Sequence, residues 1–107
     1  MIEDGARAEL RQLAERGEPI LIWGVGTLTL RLLETGALAG VPIAAFIDSN
    51  PKYQGRTLHG APVIGPGAVR GRAEPILVAS WTWQREIVEQ IRTGLGLSNP
   101  LILLYPV

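Results

Sequence analysis

One junction constrains this chain more than any other. Pro19-Ile20-Leu21-Ile22-Trp23 is a short apolar run with β-branched residues. Gly24-Val25-Gly26 follows at once, and a leucine-rich stretch with Leu28, Leu30, Leu32 and Leu33 runs from there to Gly36. A short apolar run bounded by turn residues reads as a strand buried on both faces. A strand that passes through glycines straight into a helix must return by a crossover, so the next strand lies parallel to it. The chain is thereby expected to form a parallel sheet covered by helices.

The remaining residues repeat that alternation. Ala6 to Arg16 reads as an amphipathic helix, with Ala6, Leu10, Leu13 and Ala14 on one face and Gly17 at its left-handed end. Val41 to Ile47 is a second apolar run, closed by the turn formers Asp48-Ser49-Asn50-Pro51. Two short extended pieces are expected around Thr57-Leu58 and Pro62-Val63-Ile64, with a turn at His59-Gly60-Ala61. Gly67 to Arg72 suits a helical turn and an exposed loop, and Pro75 to Ala79 a third buried strand. Trp83 to Leu95 carries Ile87, Val88, Ile91 and Leu95 on one helical face, and Leu101 to Tyr105 is a last strand. The expected fold is α/β, three-layered and doubly wound, with a mainly parallel sheet and the Ile20–Trp23 strand at its centre. At 107 residues one small domain, residues 1–107, accounts for the whole sequence.

Composition removes several function classes. Ten basic and ten acidic residues give a formal net charge of zero, which offers no general attraction to nucleic acid or an anionic membrane. Cysteine is absent and histidine occurs once, so thiolate chemistry and imidazole-rich metal sites are excluded. The residues Met1 to Arg16 are charged throughout, and the longest apolar run, Leu101 to Tyr105, is far too short for a membrane span. A cytoplasmic location is expected.

The segment Gly24-Val25-Gly26-Thr27-Leu28-Thr29 begins a glycine-rich phosphate turn. The first glycine makes the tight bend, and the second lets a phosphate approach the backbone. The helix start at Thr27 then presents free N–H groups and the positive end of its dipole. Thr29 stands where the pattern has a third glycine, which loosens the match. Asp48 ends the second strand 24 residues after Gly24. That is close to the spacing of about 20 for a carboxylate that accepts hydrogen bonds from ribose hydroxyls. Such an acid favours NAD or an unphosphorylated ribose over NADP. The same residues also suit a purely structural role: two turn glycines and an aspartate capping the Asn50-Pro51 turn.

Ser80-Trp81-Thr82-Trp83 follows the third strand, at the sheet edge where doubly wound folds bind ligands. Ser80 and Thr82 can bond a phosphate or sugar or cap the next helix. Trp81 can stack on a ring or pack on loops, and Trp83 is expected to pack on neighbouring loops. His59 is expected in a surface hairpin turn. No carboxylate pair, activated nucleophile or metal set can be assembled, so no catalytic residue and no metal ligand is assigned.

Taken together, Ile20-Leu21-Ile22-Trp23-Gly24-Val25-Gly26, Phe46-Ile47-Asp48-Ser49-Asn50-Pro51, Gly55 and Leu58-His59-Gly60-Ala61-Pro62-Val63-Ile64 resemble a known module. It is the small Rossmann-like domain at the N-terminus of bacterial sugar acyltransferases and at the C-terminus of sugar C-methyltransferases. The resemblance runs from about Pro19 to Tyr105. It implies a nucleotide-sugar pocket with the phosphates on Gly24 and Gly26 and the nucleoside near Asp48. The acyl-transferring repeat domain and the methyl-donor domain of those enzymes have no counterpart here.

The expected function is a nucleotide or nucleotide-sugar binding module of a sugar-modifying transferase, without catalytic residues of its own. Its pocket residues are Gly24, Gly26, Thr27, Asp48, Ser80 and Trp81, its ligand a nucleotide-sugar or NAD, and its partner another domain or a second copy. Two alternatives stand beside it. One is a fragment of an NAD or S-adenosylmethionine enzyme, against which the single mononucleotide half counts. The other is a structural or dimerising domain with a vacant pocket.

Overall fold

The computed structural model describes residues 2–106. Among them six strands form one sheet, in the order β3 (Thr57–Leu58), β4 (Ala61–Ile64), β2 (Ile43–Ile47), β1 (Ile20–Trp23), β5 (Ile76–Val78), β6 (Leu101–Leu103). Strand β1 (Ile20–Trp23) pairs in parallel with β2 (Ile43–Ile47) on one side and β5 (Ile76–Val78) on the other. Strand β4 (Ala61–Ile64) lies parallel to β2, and β6 (Leu101–Leu103) parallel to β5. Only β3 (Thr57–Leu58) runs antiparallel, to β4. The central place of β1 follows from its composition. All four of its residues are buried, a pattern that only a strand covered on both faces can carry.

Successive strand residues point to opposite faces, and the core divides accordingly. Ile20, Ile22, Phe46, Leu77 and Ile102 join Leu10 and Leu13 of α1 (Asp4–Arg16) and Leu32 of α2 (Thr27–Glu34) in one cluster. Leu21, Trp23, Ile47, Ile76 and Val78 join Val69 and Ile91 in the other. Ile91 belongs to the helical segment after β5, which begins as α3 (Gln84–Glu89) and widens into a π-turn over Gln90–Gly94. The expected regular helix over 83–95 therefore starts one residue late and changes its geometry halfway. The Leu95 N–H bonds the Gln90 carbonyl at 2.8 Å, five residues back.

Local sequence signals account for most of the ends. Gly17 takes φ 65° after α1, and the N–H groups of Gly17 and Glu18 bond the carbonyls of Ala14 and Leu13. This is a Schellman stop. His59 and Gly60 both have positive φ, 50° and 80°, which closes the β3–β4 hairpin with the twist its strands need. Among the described residues no helix is long and apolar enough to cross a membrane.

Candidate functional site

The glycine turn is clamped by both neighbouring strands. The Gly24 N–H donates to the Ile47 carbonyl at 2.7 Å, and the Ala79 N–H donates to the Trp23 carbonyl at 3.0 Å. Gly24 itself has φ 118°, and a Cβ there would stand 2.9 Å from the Ala79 carbonyl oxygen. Both facts demand glycine at this position. Thr29, at the place of the third glycine, is fully buried, and its hydroxyl donates to the Gly24 carbonyl at 2.7 Å. The threonine thus ties the first turn of α2 back to the bend.

Gly26 differs from Gly24. Its φ is −84°, a value any residue adopts, and a Cβ there would meet nothing within 4 Å. It precedes α2 with no side chain capping the helix. Among the described residues nothing accepts from the N–H groups of Gly26, Thr27 and Leu28. These donors face open space above an exposed Gly26 and Thr27.

Asp48, half-buried at the end of β2, stands next to this turn. One carboxylate oxygen accepts from the Val25 N–H at 3.3 Å, and the other accepts from the Asn50 N–H at 2.8 Å. The Asn50 side chain in turn accepts from the Lys52 N–H at 3.0 Å, and the Gln54 amide donates to the Asp48 carbonyl at 3.0 Å. The loop after β2 therefore holds the carboxylate against the glycine turn. Each carboxylate oxygen keeps a lone pair for a further donor.

The other sequence-derived candidates fall on the opposite side of the turn. Ser80 follows β5, and its hydroxyl accepts from the Trp83 N–H at 2.9 Å. It shapes the approach to α3. Trp81 is 70 % exposed and meets Tyr105 edge to face, with ring centroids 4.7 Å apart at 74°. Thr27 and Trp81 both line a cavity of ≈ 820 Å³, which opens beside α2 and also touches Arg7, Arg31, Leu28 and Tyr105. Gly24, Gly26 and Asp48, expected in one pocket with Thr27 and Trp81, do not line this cavity. Of this turn and the helix start that follows it, Thr27 and Leu28 reach the cavity. The expectation that Trp83 packs on neighbouring loops also fails, because Trp83 is 60 % exposed. It immediately precedes α3 on a stretch that leaves Trp81, Thr82 and Trp83 all exposed. His59 lies exposed in its hairpin turn, as expected.

The residue that orders this second side gave no signal in the sequence. Gln84 is buried in the first turn of α3, and its amide donates to the Tyr105 carbonyl at 3.0 Å and accepts from the Tyr105 N–H at 3.3 Å. That pair fixes Tyr105, and through it the ring of Trp81. Among the described residues no group of three histidine, aspartate or glutamate side chains is placed to hold a metal ion.

No family model, no curated protein and no solved structure matches this chain.

Proposed function

We propose that the chain is a nucleotide-sugar binding module of the three-layer, doubly wound, Rossmann-like kind. It serves a sugar-modifying transferase whose chemistry resides elsewhere. The observation that carries the reading is Gly26. The chain itself has no steric need for glycine there, yet the position is the one a phosphate must approach, and it opens onto free N–H donors at the start of α2. Asp48 beside Val25 supports the ribose end of the reading. The strand order supports the fold. With the antiparallel edge strand set aside, the parallel strands run β4-β2-β1-β5-β6, which matches the 3-2-1-4-5 order of a dinucleotide fold. The chain leaves β1 toward β2 on one side and, after β4, crosses back to β5 on the other, so the switch point lies between β1 and β5, where Gly24 meets Ala79.

The ligand order is uridine nucleotide-sugar before NAD. That order follows the resemblance of Gly24-Val25-Gly26, Asp48-Ser49-Asn50-Pro51 and Gly60-Ala61-Pro62-Val63 to the sugar-modifying modules. Thermal-shift measurements with UDP, UDP-sugars, NAD and S-adenosylmethionine test the reading. UDP-sugars raise the melting temperature of the wild-type chain, and Asp48→Asn weakens the effect by about 1–3 kcal/mol, the worth of a charge-assisted hydrogen bond. A shift with NAD alone reverses the order of ligands. A flat response to every compound leaves a structural or dimerising module, for which the exposed Trp83 is the supporting observation.

A further inference from the structure

The large cavity beside α2 is not used by the nucleoside and phosphate contacts. Its walls come from three sources: Arg7 of α1, Thr27, Leu28 and Arg31 of α2, and the aromatic pair Trp81 and Tyr105 beyond β5 and β6. Two guanidinium groups line it and no carboxylate does. Neither arginine has an ion-pair partner among the described residues, where the ion pairs are Arg16–Glu18 and Arg72–Glu74. The smaller cavity on the other flank of Trp81, ≈ 310 Å³, contrasts with it, since Arg85 is accompanied there by Glu86. In a chain of zero net charge, two unopposed cations around an apolar, aromatic-walled hollow form a local preference for an anion with an apolar face.

We propose that this cavity receives the sugar of a nucleotide-sugar, that Trp81 is the face on which the sugar ring stacks, and that the sugar is an acidic one whose carboxylate Arg31 and Arg7 hold. The inference rests on the nucleotide reading above. With the ribose on the Asp48 side and the phosphates over the N–H groups of Gly26, Thr27 and Leu28, the group beyond the phosphates leaves toward β5. Thr27 connects the two regions, as the first residue of α2 and a wall of the cavity. Arg31 follows four residues later on the same helix face, about 6 Å along. Tyr105 meets the Trp81 ring at 74°, and that exposed ring offers the apolar C–H surface of a pyranose a partner. A carboxylate on such a ring matches the fork of a guanidinium.

Calorimetric titration of the full chain with UDP, UDP-glucose and UDP-glucuronate tests this directly. UDP-glucuronate binds about fivefold more tightly than UDP-glucose, the upper end of the worth of an exposed charge pair. The ratio falls to near one in Arg31→Gln combined with Arg7→Gln, both exposed positions whose replacement leaves the fold intact. Trp81→Ala removes the advantage of both sugar nucleotides over UDP. Equal affinity for all three ligands overturns the inference and leaves the nucleotide reading standing. Absence of binding by all three overturns that reading and the inference with it. A glucuronate preference that survives the double arginine substitution overturns the assignment of these residues.

Discussion

Gln84 grips the backbone of Tyr105 from both ends, donating to its carbonyl at 3.0 Å and accepting from its N–H at 3.3 Å. The contact joins the start of α3 to the segment just after β6 and is 6 % exposed at Gln84. Gln84→Ala removes both hydrogen bonds and leaves the half-buried N–H and carbonyl of Tyr105 unpaired. The expected cost is about 1–3 kcal/mol, read as a lower denaturant midpoint at unchanged m. The near-ultraviolet dichroism from the Trp81–Tyr105 pair weakens in the same variant, to the level of Tyr105→Ala. An unaltered midpoint and dichroic band contradict the positioning role.

The two glycines of the turn respond oppositely to alanine. Gly24→Ala forces a Cβ to 2.9 Å from the Ala79 oxygen at φ 118° and costs about 1–3 kcal/mol or more. Gly26→Ala enters open space at φ −84°, where the loss of a good capping residue and the reduced freedom of the unfolded chain offset each other to within about 1 kcal/mol. Urea unfolding of both variants checks the contrast. Equal destabilisation by the two would remove the distinction on which the role of Gly26 depends.

The loop before β5 carries the acid sensitivity that can be located. Arg72 Nη2 lies 2.7 Å from a Glu74 carboxylate oxygen, and the buried Asn99 amide donates to the carbonyls of both residues, at 2.9 and 2.8 Å. The hydrogen bond from Arg72 holds the Glu74 carboxyl below its ordinary value of 4.5. A lowered folded-state value means that the contribution is complete above pH 4.5 and is lost as pH falls through the lower, folded-state value. Glu74→Gln therefore flattens the acid limb of the stability profile and lowers stability at neutral pH. Both side chains are partly exposed, so the change is modest. Parallel acid limbs in the two proteins would contradict the assignment.

The legible parts of this molecule are those written in short stretches of sequence. Ile20 to Trp23 declares a doubly covered strand by being wholly apolar, His59-Gly60 declares a hairpin, and Gly17 a helix end. The adjacency of Asp48 and the glycine turn is also legible. Parallel neighbours β1 and β2 end side by side, so their two loops must meet. What the sequence hides depends on partners far along the chain. Gln84 reads as one more polar residue on a helix until Tyr105, 21 residues later, is seen beside it. The difference between Gly24 and Gly26 lies in the Ala79 carbonyl, which the order of residues does not reveal. The cavity beside α2 joins Trp81, which the sequence marks, to Arg7 and Arg31, each of which reads alone as an ordinary surface residue. The π-turn at Gln90–Gly94 also carries no local mark, since its apolar spacing suits a regular helix.

The most direct measurement is a calorimetric titration of the wild-type chain and of Gly26→Val with uridine nucleotide-sugars. A Cβ at that position meets nothing within 4 Å, so valine is expected to be accommodated by the protein while its side chain occupies the space a phosphate needs over the N–H groups of Thr27 and Leu28. The account predicts saturable binding to the wild-type chain and none to Gly26→Val, with both proteins folded to similar stability. Equal binding by the two proteins, or no binding of any nucleotide-sugar to the wild-type chain at millimolar concentration, would contradict it.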